Sequence, residues 1–268
     1  MKRNAIAVLF FLVSLLTSSC TKMDQLFNNG KPVTEQREVG QRFSAISMYN
    51  NVNVKLVQSN RPHLELTCPE NLIEKVTTEV TGDTLIIKNE NEHNWLRSYD
   101  YSIDLTVYYD SLREITYFSN GDLRCTDSLK GYSTLSIDTI SIDSLSIDTI
   151  EAYWNRGFTL RIKEGSGDID LCLNCDVLKT VFSYGTSKVT LHGTAGYAEH
   201  YIKSYGCIHA EALNSNIVKV MSESTNDIYV WARSQLVAYL SSIGNVYYKG
   251  YPWIEKNCMG DGQVIKLE

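Results

Sequence analysis

The sequence GSGDIDLCLNCDVLKTVFSYGTSKV, residues 165–189, decides the fold of this chain. It opens with a turn of small residues, after which apolar side chains alternate at Ile169, Leu171 and Leu173. A second stretch, 177–182, leads to another turn of the same kind at 185–189. Apolar residues at every second position are typical of a strand that buries one face. The segment therefore predicts two short strands between two similar turns.

The same turn recurs along the second half of the chain. Six copies occupy residues 165–169, 185–189, 204–208, 224–228, 242–246 and 260–264. The apolar residues that end them lie 20, 19, 20, 18 and 18 residues apart. A unit of this size cannot bury its apolar face alone, whereas stacked units pair strand to strand and share one core. We therefore predict an all-β solenoid of parallel coils of about 19 residues, in preference to a β-sandwich, which needs no constant offset.

The third position of each turn holds a small or amide residue. The predicted structural corners are Gly167, Gly206, Asn226, Gly244 and Gly262. Glycine and asparagine tolerate a positive φ with little strain, so the pattern predicts a repeated corner with a positive φ at this position. Ser187 holds the same position in the second turn and predicts a distorted or differently built corner there.

Residues 1–19 have the features of a secretory signal peptide. Lys2 and Arg3 give a positive start, and the largely apolar run 5–16 is too short to span a membrane as a helix. The run ends in small residues before Cys20, which resembles a bacterial lipobox. We predict cleavage before Cys20 and attachment of several acyl chains to that cysteine, which hold the protein on a membrane. Ordinary signal-peptidase cleavage nearby, which would release a soluble protein, is the alternative.

The rest of the chain divides into a connection and a body. Residues 20–42 show little apolar periodicity and are predicted to form a flexible tether behind the lipidated cysteine. The folded body is predicted to span residues 43–268, with a candidate sub-division near 118–130. The net charge of −6 and the pI near 5.5 argue against a nucleic acid as partner, since binding to its backbone favours a basic surface.

Six cysteines follow Cys20 in the sequence. They are Cys68, Cys125, Cys172, Cys175, Cys207 and Cys258. Their pairing cannot be deduced from the spacing, and free buried thiols are an equally good alternative. Cys172 and Cys175 form a lone CxxC motif, which predicts a small bridge or two thiols rather than a redox site.

A shorter repeat, Ser-Ile-Asp with a period of five, fills residues 136–150. Its carboxylates at Asp138, Asp143 and Asp148 would suit calcium if they formed a ladder. No glycine–aspartate calcium pattern accompanies them, and the alternation also fits two ordinary strands. No metal site is therefore predicted.

The sequence lacks the common motifs of catalysis. The five histidines form no HExxH pair, the glycine turns precede strands rather than the helix of a phosphate loop, and there is no Gly-x-Ser-x-Gly elbow. No catalytic residue and no cofactor are predicted. An enzyme that acts on polysaccharides stays as the less favoured alternative, because parallel β-helices include such enzymes.

Aromatic residues are the most suggestive outward feature. The alternation predicts that Tyr229, Trp231 and Tyr247 face solvent, with Lys249 beside them, on neighbouring coils about 4.8 Å apart. A row of flat rings could stack on sugar rings or pack against a protein, so these three residues are the candidate ligand-binding residues. The alternative is that a loop, the first-half strands or a neighbouring chain covers them.

Several motifs of the body resemble a known family. They are FSAI at 43–46, VNV at 52–54, GDTLII at 82–87, YYDSLREI at 108–115, GSGDI at 165–169 and VYYKGYP at 246–252. In order and spacing they resemble the head GIN domain of putative auto-transporter adhesins, which occurs in secreted proteins and lipoproteins of Bacteroidetes-type bacteria. The resemblance implies a right-handed parallel β-helix and an adhesion role, and it supplies no catalytic or ligand residue. Ser187, Ser204 and Ser224 replace corner glycines, which leaves the corner geometry open.

These expectations combine into one functional hypothesis. We expect a non-catalytic outer-membrane lipoprotein, facing the periplasm or the cell surface, that acts in adhesion, recognition or surface scaffolding. Its partners would be the membrane, through the lipid anchor, and a glycan or a cell-surface protein. The alternative is a periplasmic glycan-binding protein attached to the outer membrane.

Overall fold

The computed structural model describes residues 28–92, 101–130 and 157–267. In these ranges the chain forms eighteen strands joined in one sheet, with a single short 3-10 helix at Ile73–Lys75. The prediction of an all-β fold is therefore confirmed. The strands are β1 Pro32–Glu38, β2 Ala45–Asn50, β3 Asn53–Gln58, β4 His63–Pro69, β5 Val76–Thr81, β6 Thr84–Asn89, β7 Asp104–Tyr109, β8 Glu114–Ser119, β9 Leu123–Cys125, β10 Leu129–Lys130, β11 Phe158–Gly165, β12 Ile169–Phe182, β13 Lys188–Ile202, β14 Cys207–Ser222, β15 Ile228–Leu240, β16 Val246–Lys249, β17 Trp253–Cys258 and β18 Val264–Lys266.

The strands fall into two series of neighbours, apart from β10, which pairs only with β12. The first series runs β1, β4, β7, β3, β9, β12, β13, β14, β15, β16, β18, and every pairing from β7 onward is parallel. The second series runs β5, β6, β2, β8, β11, β12, β13, β14, β15, β17, and every pairing from β6 onward is parallel. The long strands β12 to β15 belong to both series, so they bend from one into the other.

Both series bury alternate residues in one hydrophobic core. In β12, for example, Ile169, Leu171 and Leu173 are fully buried and the residues between them are not. Leu178 and Phe182, in the half of β12 that belongs to the second series, reach the same core. Burial of one such side chain stabilises the fold by about 1.5–3 kcal/mol. The period-two pattern of the sequence therefore corresponds to inward-facing side chains.

The corner residues lie where the sequence predicts, but for a different reason. None of the five has a positive φ; in two of the turns the positive φ belongs instead to the first position, Gly165 (φ 141) and Gly185 (φ 114). At Gly244 a Cβ atom would lie 2.3 Å from the carbonyl oxygen of Asn226, the equivalent residue of the preceding turn. Gly244 must therefore be glycine because these successive turns stack backbone on backbone. The prediction of a positive φ at this position is wrong. The reason for the glycine is instead the closeness of the backbone of the preceding turn.

Ser187 occupies the third position of the second turn. The equivalent positions of the turns before and after it are Gly167 and Gly206, neither of which has a side chain. Ser187 is fully buried, and the strands that follow the turns pair from Lys188 with Cys207 to Thr190 with His209, where the register shifts. The third position of this turn therefore accepts a buried serine.

The folded body begins earlier than the sequence indicates. Residues 32–38, which the sequence analysis places in the tether, form β1 and pair antiparallel with β4 along their whole length. The Arg37 guanidinium donates hydrogen bonds to the carbonyl oxygens of Val76, at 2.5 Å, and Ile73, at 3.2 Å. β1 is polar because it is an edge strand with little buried surface, and this composition resembles that of a tether.

The candidate sub-division near 118–130 does not separate two bodies. β8, which ends inside this range, pairs with both β2 and β11, and β9, which lies within it, pairs with both β3 and β12. Strands from both halves of the chain therefore share one sheet. Within the described ranges, no helix has the length and apolar character that a membrane span requires.

Candidate functional site

One row of outward-facing side chains crosses the first series from β7 to β16. Its members, which we call the outer row, are Thr106, Lys55, Arg124, Asp170, Thr190, His209, Tyr229 and Tyr247, and each is the Cα partner of the next. Inward-facing residues such as Leu105 and Ile169 alternate with them and are buried. The outer row is charged at its start and aromatic at its end.

The charged end of the outer row lies in a surface depression of about 520 Å³ between β3, β7 and β9. Lys55 and Arg124 line it together with Asp104 and Asp122. Carboxylates beside basic residues in a groove are an arrangement found in enzymes that act on polysaccharides, so these side chains bear on the enzyme alternative.

The two carboxylates of the depression are engaged in structural contacts. Asp104 accepts hydrogen bonds from Asn53 at 2.9 Å and from Ser102 at 2.5 Å. Asp122 accepts one from Arg124 at 2.8 Å and another, at 3.0 Å, from a backbone N–H in the turn before β12. Each of the four carboxylate oxygens thus has a partner. This geometry favours a role in holding neighbouring turns together over general acid or base chemistry.

The aromatic end of the outer row is a stack of three rings, which we call the ring stack. The ring centroids of His209 and Tyr229 lie 4.8 Å apart, and those of Tyr229 and Tyr247 lie 5.1 Å apart, with planes within 12° of parallel. Burial, and next the charge of Asp227, raises the pKa of the Tyr229 hydroxyl. Both faces of the Tyr229 ring are covered by its neighbours. Of this ring, only the edge and the hydroxyl group remain available to a ligand.

Trp231 stands apart from the ring stack. It is half-buried, and its Cα partners are Asn214 on β14 and Lys249 on β16. Within the described part of the chain no aromatic ring stacks on the indole of Trp231. The structure therefore brings two of the three predicted ligand residues, Tyr229 and Tyr247, into one stack and places Trp231 in a different environment.

A register shift between β14 and β15 creates that environment. Ala210 pairs with Val230, but the next pair is Asn214 with Trp231. Residues 211–213 consequently have no partner on β15, and we call this segment the ledge. A bulge of this kind re-aims side chains, and bulges are frequent beside functional sites.

The ledge follows from the lengths of successive coils. From Ile208 to Ile228 the chain takes 20 residues, whereas from Ile228 to Val246 it takes 18. The longer coil must contain extra residues, and residues 211–213 of β14 are the ones left unpaired beside β15. Leu213 enters the core, and Glu211 stays half-exposed at the surface.

Polar atoms converge on the ledge. Glu211 Oε1 lies 3.2 Å from His209 Nδ1, and the Lys249 ammonium group donates to the Glu211 carbonyl oxygen at 3.4 Å. Because Lys249 is on β16 and Glu211 on β14, the lysine side chain crosses β15 close to Trp231. Glu211 Oε2 and Asn214 Oδ1 are buried, and in the described part of the chain neither has a hydrogen-bond partner.

Glu211 and Asn214 are the residues that the sequence analysis missed. Neither belongs to a motif. The signal that could have found them is the fall in coil length from 20 to 18 residues, which requires a bulge in the longer coil. Spacing alone gives the coil in which the extra residues lie but not the position of the bulge.

The remaining predicted positions have no part in this site. The six described cysteines are free thiols, and burial raises the pKa of the Cys175 thiol to about 12, which makes it a poor nucleophile. In the ranges that the structure describes, no three His, Cys, Asp or Glu side chains converge as metal ligands would. Asp138, Asp143, Asp148 and Cys20 lie outside those ranges.

Comparison with known proteins identifies the body. Residues 42–252 match the family model described as "Putative auto-transporter adhesin, head GIN domain". A putative adhesin of Bacteroides fragilis has a crystal structure similar to this one, with a TM-score of 0.72, 22% identity and coverage of 90% of this chain and 100% of that one. A putative lipid binding protein of Parabacteroides distasonis gives a TM-score of 0.60, 18% identity and coverage of 90% and 99%.

A putative adhesin of Parabacteroides distasonis is a third similar structure, with a TM-score of 0.56, 18% identity and coverage of 90% and 99%. At these identities the structures establish a shared fold. No curated protein matches the sequence.

Proposed function

Because the chain belongs to the family of putative auto-transporter adhesins with the head GIN domain, we propose that it is a non-catalytic recognition protein of the bacterial envelope. In this proposal Cys20 carries the lipid, residues 20–31 connect it to β1, and the body presents the outer row to a partner. The partner is a glycan or a protein on a cell surface. The location is the outer membrane, and the description of the family as adhesins supports an envelope setting.

The proposed architecture of the body is a right-handed parallel β-helix. The pairings of β12 through β18 support it, because each strand lies parallel to its counterpart 18 to 20 residues away, apart from local bulges. Connections between parallel strands of one sheet are right-handed in almost all proteins, which supports the handedness.

The observation that carries the functional proposal is the outer row. Its eight members lie on consecutive parallel strands, so at about 4.8 Å per strand the row is roughly 34 Å long. A continuous surface of this length suits an extended polymer or the face of another protein better than a small metabolite, which needs an enclosed pocket. The engaged carboxylates of the charged depression support recognition over the polysaccharide-active enzyme.

Protease shaving of intact cells tests the location, and a cell-binding assay tests the role. If the body faces outward, external protease removes it while a periplasmic marker survives, and cells that lack it bind less well to host or bacterial surfaces. Replacing Cys20 with alanine should move the protein from the membrane to the soluble fraction. Protection from shaving would favour the alternative, a periplasmic glycan-binding protein. Unchanged binding by cells that lack the protein would overturn the proposed adhesion.

A further inference from the structure

We propose that the ledge and Trp231 form a binding site for one sugar ring of a glycan, with Glu211 and Asn214 accepting hydrogen bonds from its hydroxyl groups. This inference rests on the proposed recognition function and specifies its ligand class and its location. The site lies where the 20-residue coil is followed by an 18-residue coil, beside the outer row and close to Lys249.

Two buried acceptors without partners are the first support. Glu211 Oε2 and Asn214 Oδ1 are both shielded from solvent at the ledge. A buried polar atom without a partner costs about 1–3 kcal/mol, so a ligand that donates hydrogen bonds to both atoms recovers that free energy. Sugar hydroxyl groups donate hydrogen bonds, and one ring carries several of them pointing in different directions.

The charges at the ledge select a neutral donor over a metal cation. Glu211 supplies one carboxylate, and the Lys249 ammonium group lies 3.4 Å from the carbonyl oxygen of the same residue. A hard cation such as calcium takes six to eight oxygen ligands, usually with several carboxylates. One carboxylate beside a fixed positive charge does not meet that need. A polyhydroxylated ligand does not require more negative charge.

Trp231 supplies the apolar surface that a sugar ring requires. Its indole is half-buried, so it is held in place, and it has no stacked aromatic neighbour among the described residues. The nearby Gly250 has no side chain; a Cβ there would lie 3.5 Å from Trp231 Cδ1. The electron-rich face of an indole attracts the C–H groups of a pyranose face. The ring stack cannot offer this at Tyr229, because both faces of that ring are covered.

The experiment compares Trp231→Ala with Trp253→Ala, a matched change at an exposed tryptophan on β17 of the second series. The full-length protein, purified in detergent, is applied to an array of oligosaccharides built from hexoses, N-acetylhexosamines and 6-deoxyhexoses. Calorimetry then measures the affinity for the strongest oligosaccharide. We expect Trp231→Ala to weaken binding at least tenfold and Trp253→Ala to change it less than twofold.

Glu211→Gln is the second variant, because it keeps the size of the side chain and replaces one acceptor oxygen with a donor. We expect it to weaken binding about fivefold without a change in the thermal unfolding midpoint. An array without signal, or equal binding by the two tryptophan variants, would overturn the site. If cells that carry Trp231→Ala still adhere like the wild type, the recognition function stands and the sugar site at the ledge fails.

Discussion

Residues 158–266 and residues 32–125 contribute parallel strands to one core, but the two regions stack their strands in different orders. In residues 158–266, β12 lies beside β13, β13 beside β14, and β14 beside β15, so the order in space follows the order in sequence. In residues 32–125, β3 lies between β7 and β9, and β2 lies between β6 and β8. A constant spacing along the sequence therefore identifies a stack only where consecutive turns are also neighbours in space.

The two regions also end differently. The first is closed by strands that run antiparallel, β4 and β1 in one series and β5 in the other. The second ends in β17 and β18, each paired on one side to a parallel strand. In β17, Lys256 is the Cα partner of the buried Ala238 and so occupies an inward-facing position. A charge at such a position opposes the addition of another strand. Lys256 therefore protects the β17 edge against further pairing, whereas antiparallel strands cover the edge of the first region.

The largest expected effect comes from filling a corner of the regular region. In Gly244→Val, the Cβ atom would lie 2.3 Å from the Asn226 carbonyl oxygen and 2.7 Å from that of Ser224. Backbone atoms cannot move aside as a side-chain end can, so we expect the free energy of unfolding to fall by about 3 kcal/mol or more. Chemical denaturation of the purified protein measures it.

Gly40→Val is the matched control, because a Cβ at Gly40 has no atom within 4 Å. We expect it to change the free energy of unfolding by less than about 0.5 kcal/mol. Similar values for the two variants would show that the corners of the regular region tolerate side chains, and the stacked-turn explanation of Gly244 would fail.

The same contrast explains how much of the fold the sequence reveals. The sequence predicts the all-β class and the corner positions Gly167, Gly206 and Gly244, because alternation and spacing are local properties. The sequence does not predict why these positions are glycine, since the reason is the backbone of the neighbouring turn, which lies close to them only in the folded structure. β1 is missed because an edge strand buries little and needs no apolar alternation.

The sequence predicts the candidate site only in part. Alternation places Tyr229, Trp231 and Tyr247 on the outer surface, and their half-exposed positions agree with that. The orientation of the rings depends on side-chain packing between strands, which sequence spacing does not encode. Glu211 and Asn214 join the site through a register shift, which depends on how two coils of unequal length fit together.

The next largest effect concerns a polar residue inside the regular region. His200 is fully buried between Thr180 and Val220, its partners on the neighbouring strands, and neither ring nitrogen has a hydrogen-bond partner in the described part of the chain. Burial lowers the pKa of His200 from 6.5 to about 4. Below pH 6.5 His200 becomes protonated in the unfolded chain but stays neutral in the folded chain. The free energy of unfolding therefore falls as the pH drops from 6.5 toward 4 and changes little through this group at lower pH.

His200→Leu should remove this dependence. We expect the difference in free energy of unfolding between the variant and the wild type to grow in favour of the variant by about 3 kcal/mol from pH 7 to pH 4. Denaturation at several pH values measures it, and subtraction of the two curves cancels the titration of the other groups. A difference that does not vary with pH would show that the imidazole is protonated or solvated in the folded protein.

The smallest of the three effects tests how the first region is closed. Arg37 is largely buried and connects β1 to the carbonyl oxygens of Val76 and Ile73. Hydrogen bonds from a charged donor contribute about 1.5–3 kcal/mol, so Arg37→Ala should lower the free energy of unfolding by about 2 kcal/mol.

Arg42→Ala is the control, because the Arg42 side chain is 89% exposed and its ion pair with Asp110 is 3.8 Å long. Hydrogen exchange should show faster exchange of the β1 amides in Arg37→Ala while those of β14 are unchanged, because closure at this end acts locally. Equal exchange of β1 in the two variants would mean that pairing with β4 alone holds the strand.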